Sequence, residues 1–144
     1  MKTVSVMIVG VGGQGSLLAS KLLGRLLVDE GYDVKVSEVH GMSQRGGSVV
    51  TYVKYADKVA SPIIDKGEAD LILVMDEGKI IADESPYEVG KILKSINHDM
   101  YKALPTPVRV HGEVVNSLNC PLTVREGRIW LEEYSKEKVL NNEV

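Results

Sequence analysis

The chain has 144 residues, 44% of them hydrophobic and 26% charged, and a net charge of −3. That length suits one domain better than two full ones, and the balance is that of an ordinary soluble globular protein. The slight acidity without any basic patch argues against nucleic acid as a partner. The single cysteine, Cys120, excludes an internal disulfide and any cysteine-ligated metal or iron–sulfur cluster held by this chain alone.

Phe is absent, so the core must be aliphatic. Val4 to Val9 is a short apolar, β-branched run closed by Gly10, which reads as a buried parallel strand. It is too short to span a membrane, and no cleavage site follows a longer run, so the expected location is the cytoplasm. Gly10-Val-Gly-Gly-Gln-Gly15 comes next. From Ser16 to Glu30, Leu18, Leu22, Leu23, Leu26 and Leu27 recur at the spacing of one helical face, and Gly31 stands where a C-terminal cap is wanted. Val34 to Glu38 alternates as a second strand. Strand, glycine turn, helix and strand in this order open a doubly wound α/β unit. The fold expected is therefore a three-layer, Rossmann-like open sheet, incomplete, with a helical C-terminal tail.

His40 to Gly47 reads as a polar loop, Ser48 to Tyr55 as a third strand, and Ile63 to Lys66, after Pro62, as a short turn of helix. Ala69 to Met75 is a further apolar strand. Glu77-Gly78 forms a tight turn into Lys79–Ala82. Ser85, Pro86 and Glu88 supply the N-cap, N1 and N3 positions of a helix running through Val89, Ile92, Leu93 and Ile96. Pro105 and Pro107 end any element after that helix. Thr123 and Glu126 form a second capping box, opening a last helix through Trp130 and Leu131 toward Val139.

Gly10, Gly12 and Gly15 satisfy G-x-G-x-x-G in the strand–turn–helix setting that gives the motif meaning. Glycines let the backbone approach a ligand while N–H groups at the helix start face an anion; glycine used only for close helix–strand packing is the plainer reading. A nicotinamide site would need an acid at the end of strand two, and Glu38 occupies that place. Beyond it, residues 38–48 gather an acid, an imidazole, a guanidinium and three glycines in one strand-end segment. Arg45 suits a carboxylate or phosphate by its planar fork, and Gly46 and Gly47 admit close approach. A solvated turn with a surface arginine is the alternative.

These two stretches, Gly10-Val-Gly-Gly-Gln-Gly15 and His40-Gly-Met-Ser-Gln-Arg-Gly-Gly-Ser-Val49, resemble the gamma-type domain of 2-oxoacid:ferredoxin oxidoreductases, most nearly its indolepyruvate branch, over about residues 3–75. The resemblance implies a subunit, inactive alone, of an enzyme that oxidatively decarboxylates a 2-oxo acid to an acyl-coenzyme A and passes electrons to ferredoxin. Thiamine diphosphate and iron–sulfur clusters would sit on a larger partner subunit. Gly10, Gly12, Gly13, Gln14, Gly15, Ser43, Arg45, Gly46 and Gly47 would then face the partner's catalytic centre or coenzyme A, with no catalytic residue and no metal ligand on this chain.

Residues 76–144 depart from that pattern. Leu73 to Asp83 with Ser85 to Val89, and Pro121 to Trp130, resemble the late part of energy-coupling-factor type ATP-binding-cassette ATPases. The chain thus reads as an oxidoreductase-like segment, 1–75, joined to an ATPase-like segment, 76–144, packed as part of the same domain. No G-x-x-x-x-G-K-[ST] is present, so ATP hydrolysis by this chain alone is excluded. Asp76-Glu77 has the letters of a magnesium-binding pair, but Gly78 gives it a turn reading. His98-Asp99 reads as a surface pair, His111 lacks a second ligand at metal spacing, and Trp130 reads as a core or interface residue. A free-standing dinucleotide-binding module and a non-catalytic interaction protein built from fused partial domains are the alternatives. A sheet cut short exposes an edge, which predicts a homodimer or a tail helix covering it.

Overall fold

The computed structural model describes residues 1–11, 15–40 and 48–142. It divides into two compact units, Met1–Pro86 and Tyr87–Val144. The first holds β1 (Val4–Val11), α1 (Ser16–Asp29), β2 (Asp33–His40), β3 (Ser48–Ala56), β4 (Leu71–Asp76) and β5 (Lys79–Glu84) in one open sheet of order β2-β3-β1-β4-β5. The chain is therefore α/β, as its alternation of strand and helix implies.

The sheet is mixed. β1 pairs in parallel with β4, but β3 lies antiparallel between β1 and β2. The β1–α1–β2 crossover thus joins two strands of like direction that are not neighbours, a split βαβ unit. β4 and β5 form a hairpin whose turn residues Glu77 (φ 48) and Gly78 (φ 73) both take positive φ. That is the twist-matched geometry of a two-residue hairpin, and it explains why an Asp-Glu-Gly-Lys stretch sits there.

α1 covers one face of the sheet. Leu27 joins Val6, Ile8, Val53 and Met75 in the core, with Ala19, Leu23, Tyr32, Tyr55 and Leu73 packed around them. The helix turns a small-residue side inward: Ser16, Ser20 and Gly24 are buried with Leu27. The leucine face expected to enter the core does so only through Leu23 and Leu27; Leu18, Leu22 and Leu26 are 62%, 64% and 58% exposed. A Cβ on Gly24 would meet Val36 at 3.5 Å, ordinary contact, so the side of the helix nearest the sheet combines Ser16, Ser20 and Gly24 with Leu23 and Leu27. Gly31 (φ 94) follows the C-cap Glu30 as expected.

The segment expected to begin a helix at Ile63 to Lys66 does not. It runs without helix to a turn at Lys66 and Gly67 (φ 83), where Glu68 N–H donates to the Asp65 carbonyl at 3.1 Å. This stretch is pinned to the sheet instead. Asp33 accepts from the Val59 amide at 2.8 Å and from Lys35 Nζ at 2.8 Å. Asp70 accepts from Ser5 N–H at 2.9 Å and donates its own N–H back to the Ser5 carbonyl at 2.8 Å.

The second unit holds α2 (Pro86–Ser95), a 3-10 helix (Asp99–Ala103), α3 (Thr106–Glu113) and α4 (Val124–Asn142). α3 is an element that two prolines concealed. Pro107 sits in its first turn, where a missing N–H costs nothing, rather than ending a helix. Helix contacts are close enough that a Cβ on Gly90 would fall 2.7 Å from Val108, and one on Gly127 2.9 Å from Pro107. Val89, Leu93, Val108 and Trp130 are buried here, whereas Ile96, expected on the inner face of α2, is 51% exposed. The capping box of α4 is reciprocal: Glu126 N–H donates to Thr123 Oγ1 at 3.2 Å, and Thr123 N–H donates to Glu126 Oε2 at 3.0 Å.

Both the cap and the Asp33 pin can be tested. Thr123→Ala should cost about 1 kcal/mol in urea unfolding, as loss of a cap does, whereas Thr123→Ser should be near neutral. The Asp33 carboxyl is held below its usual range, first by the Lys35 hydrogen bond and then by the Val59 amide. A lowered folded value gives a contribution that is complete above the ordinary aspartate range and lost as pH falls through the depressed one. Hydrogen exchange at Val59, followed downward in pH, should therefore lose protection only below the ordinary aspartate pKa, and Asp33→Ala should lack that protection at neutral pH.

Candidate functional site

The strand directions bring five chain ends to one edge of the sheet. β1, β2 and β4 finish there, while β3 and β5 begin there. In register, Gly10 pairs with Val49 and Met75, Val11 with Ser48, and His40 with Val49. The glycine turn leaves from Val11 and the 41–47 segment runs from His40 to Ser48, so both are rooted on adjacent strands at this carboxyl edge. Ligands of open α/β sheets bind at such edges.

Two of the motif glycines have visible structural work. A Cβ on Gly10 would stand 3.3 Å from the Met75 carbonyl oxygen and 3.6 Å from Ser16 Cβ, so any larger residue would have to shift β4 by a few tenths of an ångström. Gly15 is the N-cap of α1 in the left-handed region (φ 87), and its carbonyl accepts from Ala19 N–H at 2.9 Å. The packing reading of these glycines is thus realised at Gly10. It does not displace the anion reading: α1 has no side-chain cap bond from its N-cap residue and no acid in its first turn. Both are features that leave positive potential at a helix start. Gly12, Gly13, Gln14, Ser43, Arg45, Gly46 and Gly47 lie outside the described residues.

Glu38 is not the strand end it was expected to be, since β2 continues to His40. Glu38 pairs in register with Thr51, which pairs with Ile8. A whole strand therefore separates it from β1, roughly 10 Å at the usual inter-strand spacing. A ribose-binding acid belongs on the strand adjoining the glycine turn. Thr51 itself is fully buried, and its hydroxyl has no hydrogen-bond partner among the described residues.

In the second unit the remaining candidates are structural. His98 caps the 3-10 helix, its Nδ1 accepting from Met100 N–H at 3.2 Å, and Asp99 pairs with Lys102 at 2.8 Å. His111 is buried, 3.0 Å from the Leu118 carbonyl through Nε2 and tilted against Trp130 at 5.4 Å. Trp130 is 4% exposed and stacks on Tyr134 at 5.2 Å, a core residue. Two open clefts, of about 700 and 460 Å³, meet at Cys120, but the thiol is only 7% exposed and burial pushes its pKa up. Such a thiol is a poor nucleophile. Among the described residues no group of three His, Cys, Asp or Glu side chains is placed to hold a metal, and no helix is long and apolar enough to cross a membrane.

An open α/β sheet with a glycine-rich crossover at its carboxyl edge is the frame of a ligand-facing domain. The chain belongs to the pyruvate ferredoxin/flavodoxin oxidoreductase family, whose sequence profile matches residues 5–122, well past the paired motifs. Indolepyruvate oxidoreductase subunit IorB of Pyrococcus horikoshii is 52% identical over 73 residues, 51% of this chain and 36% of that protein. The same subunit of Thermococcus kodakarensis is 51% identical over 73 residues, with the same coverage of each chain. The gamma subunit of NADH-dependent phenylglyoxylate dehydrogenase of Aromatoleum evansii is 34% identical over 68 residues, 46% of this chain and 35% of that one. The chain spans about a third of the length of these relatives.

The two described glycines should differ in kind when replaced. Gly15→Ala meets open space apart from Met75 Cε at 3.8 Å, so its cost is the left-handed backbone alone, about 1–2 kcal/mol. Gly10→Val carries no left-handed cost but must push β4 and α1 apart, an overpacking cost of about 1–3 kcal/mol. Urea titration should show the cost at Gly10 rising from Ala to Val as the side chain grows; a Gly10→Val variant as stable as the parent would remove Gly10 as the junction residue.

Proposed function

We propose that this chain is a non-autonomous subunit of a 2-oxoacid:ferredoxin oxidoreductase, acting with a larger partner to convert a 2-oxo acid to an acyl-coenzyme A. The observation that carries this reading is the register of the sheet. It brings Val11, His40 and Ser48, from which the glycine turn and the 41–47 segment leave, to one edge, and this reading has backbone amides of the first crossover and the Arg45 guanidinium serve one anionic group. The fit of that edge to an anion rests on the close approach allowed at Gly10, the left-handed Gly15, and a helix start without a cap bond from its N-cap side chain or an acid in its first turn.

In this reading Gly10, Gly12, Gly13, Gln14 and Gly15 lie against a phosphate or diphosphate, and Ser43, Arg45, Gly46 and Gly47 hold its other side. Coenzyme A or the partner-bound thiamine diphosphate supplies that group. Carbon–carbon bond cleavage draws on thiamine diphosphate, and electron transfer to ferredoxin on iron–sulfur clusters, both carried by the partner. A single buried cysteine cannot ligate a cluster, which agrees with that division of labour. This chain contributes orientation and charge, and leaves bond-making to its partner. The relatives are named for indolepyruvate and phenylglyoxylate, both aromatic 2-oxo acids. A substrate with an aromatic side chain is accordingly the preferred class, indolepyruvate first.

The dinucleotide-binding alternative is disfavoured by β3, which separates Glu38 from the glycine turn by a full strand. The reading as a non-catalytic fusion has no observation in its favour to match the shared edge.

Reconstitution with a thiamine-dependent, iron–sulfur partner tests the proposal. Arg45→Ala should lower 2-oxoacid-dependent ferredoxin reduction about 10- to 100-fold, the loss expected for one charge-assisted anchor of about 1.5–3 kcal/mol, while the complex still assembles. Arg45→Lys should recover only part of it, because the planar fork is lost. Full activity in Arg45→Ala, or micromolar NAD binding by the isolated chain that Glu38→Ala abolishes, would overturn it.

A further inference from the structure

Ser16 is the first residue of α1 and is only 3% exposed. Its Cβ lies 3.6 Å from the place a Cβ on Gly10 would occupy, so the side chain sits in the angle between the helix start and the end of β1. Helical side chains lean toward the N-terminus, which turns this hydroxyl toward the carboxyl edge of the sheet.

The other serines within the α-helices show what a serine ordinarily does there. Ser20 donates to the Leu17 carbonyl at 2.9 Å, Ser95 to that of Ile92 at 2.8 Å and Ser135 to that of Leu131 at 2.7 Å. Each reaches back three or four residues along its own helix. Ser16 has no turn of helix behind it, and its hydroxyl makes no hydrogen bond to a described residue. Packing does not call for a hydroxyl in this place. Alanine is smaller, forms helix better and brings no polar atom to satisfy. A buried hydroxyl left without a partner is destabilising, and an acceptor brought from outside would remove that cost.

Backbone donors stand beside it. Ala19 N–H bonds to the Gly15 carbonyl at 2.9 Å, and the amides of Ser16, Leu17 and Leu18, ahead of it, have no helical carbonyl to reach. No acid occupies this first turn to compete for them.

We propose that Ser16 is an anion ligand, its hydroxyl and the amides of residues 16–18 together binding the terminal oxygens of one phosphoryl group. The donors favour phosphoryl over carboxylate. A phosphoryl group spreads three strong acceptor oxygens tetrahedrally and carries about two negative charges, whereas a carboxylate has two oxygens in one plane and a single charge. The inference rests on the proposed function only for the source of the group, coenzyme A or thiamine diphosphate, and gives that site a side-chain donor besides Arg45.

Titration of the full chain with inorganic pyrophosphate tests it without the partner subunit. The amide resonances of Ser16, Leu17 and Leu18 should shift saturably, and malonate at equal concentration should shift them less. Ser16→Ala should weaken pyrophosphate binding at least about tenfold, the loss expected of one hydrogen bond to a charged group, with its thermal midpoint unchanged or raised. A second variant reads the same site from an exposed position. Leu18→Glu, at a residue 62% exposed, should hold or raise the midpoint, because an acid suits a helix start, while abolishing pyrophosphate binding. No saturable shift in the parent chain, equal binding of malonate, unchanged binding in Ser16→Ala, or a midpoint that falls along with binding would refute the assignment. Full ferredoxin reduction in Arg45→Ala would remove the oxidoreductase reading and leave pyrophosphate binding through Ser16 standing.

Discussion

At the end of β1, strand β4 and the start of α1 come close enough to Gly10 that a side chain there would press on the Met75 carbonyl. Gly10 lies against the Met75 carbonyl on one side and the first residue of α1 on another, and β3 pairs along its remaining edge. Everything at the carboxyl edge is built out from this contact. It fixes β1 as the strand between β3 and β4, sets where α1 begins, and so determines which chain ends share the edge. Close packing and ligand approach are usually offered as competing explanations for a glycine-rich turn. Here the packing role is visible at Gly10, where the start of α1 lies close to the sheet.

Much of the frame was legible in the residues. β1, α1, β2, β3 and β4 follow from apolar runs and turn residues, and the Glu77-Gly78 turn and the Thr123–Glu126 box follow from chemistry local enough to be read within four residues. The relative placement of the strands could not be read in the same way. Alternation says that residues 48–55 form a strand, but nothing in that stretch announces that it runs antiparallel between β1 and β2. That placement is what puts Glu38 out of reach of the glycine turn. Proline misled in the other direction, because Pro107 is equally at home after one helix and at the start of the next.

Periodicity also located α1 while mistaking its orientation. Five leucines on an arc look like one face, yet the side turned to the sheet carries serine and glycine together with only two of them, Leu23 and Leu27. Of the site, the structural roles of Gly10 and Gly15 and the anchoring of both motifs at one edge are visible. Gly12, Gly13, Gln14, Ser43, Arg45, Gly46 and Gly47 rest on sequence and family alone. The family profile covers residues 5–122, and the chain spans about a third of the length of the relatives it matches.

The strand wedged between β1 and β2 also bears on how this chain comes off the ribosome. When the first forty residues have emerged, they contain two strands of like direction held apart by a helix, with an empty lane between them and no ladder to close. Order must wait for residues 48–56, which fill the lane and satisfy both neighbours in one step. Until then the amphipathic helix is alone with its leucines, and a nascent chain in that condition is a natural client for a chaperone.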